Sequence, residues 1–99
     1  MAKEQWSAET LRLREEASIH IDRLARSMEQ DRKAWGRYDH LDDEQAELNS
    51  LDTKQLTAWI VITQYQGFDD PEVSNVVYCT AGQTAATSKG LAQYAAEQY

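Results

Sequence analysis

The sequence predicts a small all-α protein, a bundle of four or five helices led by one long N-terminal helix. Apolar residues recur every three or four positions along most of the chain, residues that cap helices precede several of these runs, and the connections are short. With 99 residues the chain is expected to form a single domain, residues 1–99. Residues 1–38 would carry the long amphipathic helix, and residues 39–99 an acidic helical body.

The first helix is predicted from about Ala8 to Tyr38, and Gly36 offers an earlier end. Ser7 is a favourable N-cap because its hydroxyl can accept a backbone N–H of the first turn. A heptad-like apolar stripe runs along this helix and is interrupted by Asp31. The stripe comprises Ala17, Ile21, Leu24, Met28, Trp35 and Tyr38. Its first four members are candidates for a seam between two copies of the chain.

Two segments ten residues apart have the form of a capping box, in which a cap side chain and a glutamine three residues later each bond a backbone N–H. One consists of Asp42 and Gln45, and the other of Asp52 and Gln55. A short helix followed by a longer one is therefore expected. The alanine-rich residues 84–98 predict the last helix.

Residues 57–80 admit two interpretations. Their β-branched and aromatic side chains favour a hairpin at about 58–80, which would make the fold α+β. Their apolar residues nevertheless recur at helical spacing, and Gly67 and Asp70-Pro71 resemble a helix stop and a helix start. The residues at helical spacing are Leu56, Trp59, Ile60 and Thr63, then Val73, Val76, Val77 and Thr80. We expect helices here and keep the hairpin as the alternative.

Negative charge is concentrated in the second part of the chain. The net charge is −7, and all six arginines lie before residue 39. Six carboxylates fall within fourteen residues, namely Asp39, Asp42, Asp43, Glu44, Glu47 and Asp52. These side chains either cap helices and solubilise the surface, or they face a basic surface on a partner. Their spacing matches no calcium loop, and we expect no metal site.

Trp35 and Tyr38, close to Arg32 and Arg37, form a candidate binding edge, because tryptophan, tyrosine and arginine are common at the centres of protein interfaces. The simpler interpretation is packing: of Trp6, Trp35 and Trp59, at least two are expected in a core or an interface. As the alternative to packing, Trp35 and Tyr38 are partner-binding candidates alongside the six carboxylates.

Nothing in the sequence indicates catalysis. No nucleotide-binding, hydrolase or zinc-helix motif is present, His20 is typical of a surface histidine, and Cys79 of a small buried residue. We therefore expect no enzyme and no cofactor. The acidic balance argues against direct binding of nucleic acid, and no apolar run is long enough for a membrane span. A single cysteine, and no apolar segment in residues 1–5, suggest a cytoplasmic protein without a signal peptide.

These observations favour a small acidic interaction module that binds a larger protein through a basic surface on that partner and modulates or inhibits it. Proteins of bacteriophages and mobile elements that act on nucleic-acid-handling machinery often have this size and charge, which is an analogy. The alternative is a self-assembling structural or scaffold protein, a homodimer whose seam is the long helix.

Overall fold

The computed structural model describes residues 5–99, and in this range the fold is a mixture of α-helices and β-strands. The predicted all-α bundle is therefore wrong, and the α+β alternative with a hairpin matches the structure. Residues 1–4, on which the expectation of no signal peptide mostly rests, lie outside the described residues. The elements in order are α1 (Ala8–Ala34), α2 (Asp43–Asn49), β1 (Ile60–Gln66), β2 (Val73–Cys79) and α3 (Ala85–Glu97).

Helix α1 begins where the sequence predicts and ends four residues before Tyr38. Its start is capped by the Ser7 hydroxyl, which accepts the Thr10 backbone N–H at 3.1 Å. At its end, Gly36 adopts a φ of 78°, the left-handed conformation that stops a helix. The Gly36 N–H donates to the Lys33 carbonyl and the Arg37 N–H to the Arg32 carbonyl, both at 3.0 Å, the bond pattern of a Schellman motif.

The two predicted capping boxes have different outcomes. The Asp42 side chain accepts the Gln45 backbone N–H at 2.8 Å and caps α2, as predicted. Residues 53–59, by contrast, form no helix after Asp52. The Arg26 guanidinium there donates to the carbonyls of Leu51 and Lys54, at 2.7 and 2.6 Å. In a helix capped by Asp52 the Lys54 carbonyl would accept the Ala58 N–H, so the arginine contact at Lys54 stands where a helical bond would be.

The hairpin explains why helical spacing misleads at residues 57–80. Strands β1 and β2 pair antiparallel without interruption, from Ile60 opposite Cys79 to Gln66 opposite Val73. Their β-branched and aromatic content favours this extended form over a helix. The residues that resembled helix boundaries form the loop instead: the Gly67 N–H donates to the Glu72 carbonyl at 3.2 Å.

Tertiary contacts divide the chain into two compact units. One unit combines residues up to Glu15 with Ala58–Tyr99, and therefore contains the hairpin and α3. The other, Glu16–Thr57, contains the rest of α1 together with α2. The single domain expected from chain length stays a prediction. In residues 5–99, no helix is both long enough and apolar enough to cross a bilayer.

The hairpin unit is centred on Trp59, the single buried hydrophobic residue among residues 5–99. Its indole meets the Tyr78 ring edge to face, with ring centroids 6.4 Å apart. The Gln83 side-chain amide accepts the Trp59 backbone N–H at 3.1 Å and donates to the Trp59 carbonyl at 3.0 Å. The Gln83 amide thus bonds both backbone groups of Trp59, as a neighbouring strand would, and these buried groups are satisfied. Helix α3, capped by Thr84, contacts β1.

Candidate functional site

A charged face of α1 fixes the segment that follows α2. Asp22, Arg26, Glu29 and Lys33 are spaced by four, three and four residues, so they lie along one side of the helix. Glu29 is 4% exposed, yet its carboxylate is bonded: both oxygens accept the Leu51 backbone N–H, at 3.0 and 3.2 Å. A buried carboxylate without such partners would be strongly unfavourable. Glu29 therefore holds Leu51 against α1.

The two cations of this face are directed toward the same segment. The Arg26 Nε also lies 3.1 Å from both Asp22 carboxylate oxygens, which orients the guanidinium toward the carbonyls of Leu51 and Lys54. The Lys33 ammonium donates to the Ser50 hydroxyl at 3.4 Å. It also lies 3.9 Å from a Glu29 oxygen and 3.8 Å from an Asp52 oxygen. Both cations are therefore bound to groups within residues 16–57.

The predicted acidic run surrounds α2, and we call its six carboxylates the acidic surface. All six residues are exposed: Asp39, Asp42, Asp43, Glu44, Glu47 and Asp52. Asp42 caps α2 and Asp52 faces Lys33, so these two have structural partners. For the other four, no lysine, arginine or histidine nitrogen of residues 5–99 lies within 4.0 Å. Most of this charge is therefore not neutralised within the described chain.

A pocket of about 340 Å³ opens between α1, α2 and the turn that joins them. Its volume is at the lower end of the range usual for small-molecule sites. Eight residues line it, namely Glu29, Lys33, Tyr38, Asp39, Leu41, Asp43, Ala46 and Asn49. Since Glu29 and Lys33 already bond the segment after α2, the carboxylates of Asp39 and Asp43 are the anionic groups left for an incoming molecule. The pocket is suited to a cationic group.

The predicted aromatic edge is only partly brought together. Tyr38 is half-buried and lines the pocket, whereas Trp35 is 72% exposed. Trp6 is 63% exposed, and its ring stacks on the Arg14 guanidinium at 4.7 Å. Trp59 alone of the three tryptophans is in the core.

The predicted seam lies on the other side of α1. Its members, Ala17, Ile21, Leu24 and Met28, each precede by five residues a member of the charged face, which places the two stripes roughly 140° apart around the helix. Ala17 and Ile21 are half-buried, while Leu24 is 61% and Met28 43% exposed. The seam therefore keeps apolar side chains in contact with solvent.

Reasoning from the sequence missed Arg26, Glu29 and Lys33. Their signal is present in the sequence, because charged residues can follow helical spacing as apolar ones do. Their partners are mainly backbone groups, which leave no trace in a side-chain pattern. Among residues 5–99, no group of three or more histidine, cysteine, aspartate or glutamate side chains is placed to share a metal ion.

Comparison with known proteins gives no match: no family model, no curated protein sequence and no solved structure is significantly similar to this chain.

Proposed function

We propose that the chain is a non-catalytic interaction module whose acidic surface binds a basic surface on a larger protein and thereby modulates or inhibits that protein. One observation carries the proposal. Asp39, Asp43, Glu44 and Glu47 are exposed and have no cation within 4.0 Å in residues 5–99, although cationic α1 side chains lie in the same unit. Arg26 is directed to backbone carbonyls instead, so the negative field faces outward.

The physical basis of binding is the field of clustered carboxylates. Like charges focused on one surface attract an oppositely charged partner over several ångströms and raise the association rate. The pocket adds a place where a lysine or arginine side chain of the partner could lie between Asp39 and Asp43. Attraction of this kind is screened by salt, with a Debye length of about 8 Å at physiological ionic strength.

The partner class follows from the same chemistry. Proteins that handle nucleic acids carry basic surfaces for phosphate groups, and an acidic protein can occupy such a surface in place of nucleic acid. By analogy with small acidic proteins of bacteriophages and mobile elements, we propose such a partner, in the cytoplasm. Neither direct binding of nucleic acid nor a cofactor is part of the proposal.

The test compares two variants that remove equal charge. In the first, Asp39→Asn, Asp43→Asn, Glu44→Gln and Glu47→Gln neutralise the acidic surface. The matched control neutralises four exposed carboxylates elsewhere: Glu15→Gln, Asp31→Asn, Asp69→Asn and Glu72→Gln. Each immobilised protein is incubated with host lysate at low salt, and retained proteins are identified, purified and titrated by calorimetry.

We expect the wild type and the control to retain the same basic protein, and the first variant to lose it. Affinity should fall steadily as salt is raised, because screening weakens the attraction. Retention that is equal in both variants, or unchanged at about 1 M salt, where the Debye length is about 3 Å, would contradict the proposal.

A second candidate function is self-assembly through the α1 seam. It is favoured by the exposure of Leu24 and Met28 on the side of α1 away from the charged face. Sedimentation velocity over a range of concentrations tests it. A dimer that dissociates in the Leu24→Gln, Met28→Gln variant supports the seam, and a strict monomer excludes self-assembly.

A further inference from the structure

The two strands of the hairpin carry no charged residue. Strand β1 reads IVITQYQ and β2 reads VSNVVYC, in a chain of which 27% is charged. Five of the seven β2 residues are exposed, including three valines. The cross-strand neighbours Ile62 and Val77 are 60% and 59% exposed. An apolar, uncharged surface is thus open to solvent on an otherwise strongly charged molecule.

The outer edge of β2 also presents unpaired backbone groups. In an antiparallel ladder, alternate residues bond the partner strand, and those between them direct their N–H and C=O outward. The bond from Gly67 to the Glu72 carbonyl continues the ladder, so by alternation Ser74, Val76 and Tyr78 face β1. Odd-numbered residues of β2 face outward, and within residues 5–99 the sheet has two strands only.

This edge lacks the features by which proteins usually prevent strands from pairing. Exposed edge strands are commonly protected by lysine, by proline or by a bulge. Strand β2 has neither residue, and its register with β1 is continuous over all seven pairs. The edge is therefore competent to accept another strand.

We propose that β2 pairs antiparallel with β2 of a second copy of this chain, on a two-fold axis at Val76, to form a four-stranded sheet in the order β1-β2-β2-β1. Full overlap of the seven-residue strands then places Val76 opposite its own copy, Asn75 opposite Val77, and Val73 opposite Cys79. The outward groups of Val73, Asn75, Val77 and Cys79 bond one another in this register, as the alternation requires.

A second copy suits this edge because the edge is self-complementary: in this register each outward backbone group of one β2 meets one of the other. Two molecules of net charge −7 repel each other, but β2 brings no charged side chain into the contact. The acidic residues nearest to the strands, Asp69, Asp70 and Glu72, lie in the hairpin loop. Antiparallel pairing points the two loops in opposite directions, which keeps these carboxylates apart. The exposed Ile62–Val77 pairs of the two copies lie on the same side of the joined sheet.

Cysteine trapping tests the register. In a Cys79→Ser background, Val76→Cys places two thiols directly opposite each other, at a pair whose Cα atoms are about 4.5 Å apart, within reach of a disulfide. The matched control is Val73→Cys, since Val73 is 51% and Val76 47% exposed. In the proposed register the two residues 73 lie six positions apart along the strands, about 20 Å.

Under mild oxidation we expect the Val76→Cys protein to form a covalent dimer on non-reducing gels and the Val73→Cys protein to remain monomeric. Equal cross-linking of the two variants overturns the proposal. So does the absence of cross-linking in a Val76→Cys protein whose circular dichroism matches that of the wild type.

Sedimentation velocity of the full chain provides the second test and separates this dimer from the α1 seam. Val77→Lys places the lysine of one chain diagonally across from the same lysine of the other chain. The repulsion between them should raise the dissociation constant of the dimer by about tenfold or more. Leu48→Lys, at a 68% exposed residue of α2, adds the same charge and should have no effect. A wild type that stays monomeric, or a dimer that dissociates in Leu24→Gln, Met28→Gln but not in Val77→Lys, overturns the proposal. None of these outcomes bears on the acidic surface.

Discussion

Both carboxylate oxygens of Glu29 accept the backbone N–H of Leu51, at 3.0 and 3.2 Å, across 22 residues of chain. Few other side chains could make this contact, since it requires an acceptor on a long side chain reaching from α1 to the segment after α2. Arg26 binds the carbonyl of the same residue, so Leu51 is held through both of its backbone groups. The unit formed by residues 16–57 is thus joined by polar contacts where most small domains use apolar packing.

Replacement of Glu29 should destabilise this unit. Glu29→Ala leaves the Leu51 N–H without a partner and should cost about 1–3 kcal/mol, while Glu29→Gln keeps an acceptor and should cost less. Urea denaturation followed by circular dichroism measures the difference. Glu15→Gln, at an exposed residue of the same helix, is the control and should be neutral. Equal stability of all three variants would show that the contact contributes nothing.

Arginine at position 26 should not be replaceable by lysine. The guanidinium reaches the Asp22 carboxylate and two carbonyls at once, which a single ammonium cannot do. We expect Arg26→Lys to lower the unfolding free energy by about 1–2 kcal/mol and to speed hydrogen exchange in residues 50–54. Arg23→Lys, at an exposed residue, should change neither quantity. Unaltered exchange in Arg26→Lys would contradict the assigned role.

Gln83 should be essential for the environment of Trp59. Gln83→Glu replaces the amide N–H₂ that donates to the Trp59 carbonyl with an oxygen, so two acceptors would face each other. We expect destabilisation of about 1–3 kcal/mol and a red shift of the buried fraction of tryptophan fluorescence. Gln55→Glu, at an exposed residue outside the helices and strands, is the control. An unchanged emission spectrum in Gln83→Glu would count against the contact.

Three glycine-to-alanine substitutions should change the free energy of unfolding in different directions. At Gly36 the left-handed φ of 78° combines with an alanine Cβ 2.7 Å from an Asp39 carboxylate oxygen, so Gly36→Ala should cost about 1–2 kcal/mol. Gly82 has the same φ in open space, and the exposed Asp39 side chain can turn away from a Cβ at Gly36, so Gly82→Ala should cost about as much. Gly90 lies inside α3 with no atom near, and Gly90→Ala should stabilise by about 0.5–1 kcal/mol. Thermal unfolding of the three variants gives the order, and a destabilised Gly90→Ala would refute it.

Local chemistry in the sequence predicts where the three helices start. Ser7 and Asp42 are predicted caps, and each precedes its helix in the structure. Thr84, the first residue of the predicted last helix, caps α3. Gly36 was recognised as a possible end of α1, and the structure ends the helix there. Caps are predictable because each depends on residues three or four positions away.

What could not be predicted depends on distant residues. Asp52 has the sequence of a cap, but Arg26, which is far away in the chain, bonds the carbonyls of Leu51 and Lys54 on either side of it, and no helix follows. Residues 57–80 satisfied both helical and strand patterns, and the pairing of β1 with β2 decided between them. The acidic run was visible in the sequence, whereas its pocket requires α1, α2 and the turn between them.

The separation of charge from the hairpin also determines how the protein should behave as a colloid. Near pH 4.7, the isoelectric point of the sequence, the net charge that keeps molecules apart vanishes. The exposed valine, isoleucine and tyrosine side chains of β1 and β2 carry no charge at this pH or at neutral pH, so their tendency to associate does not change. Turbidity should therefore peak close to that pH and decline on either side. Purification and storage well above it, at modest ionic strength, would keep the solution clear.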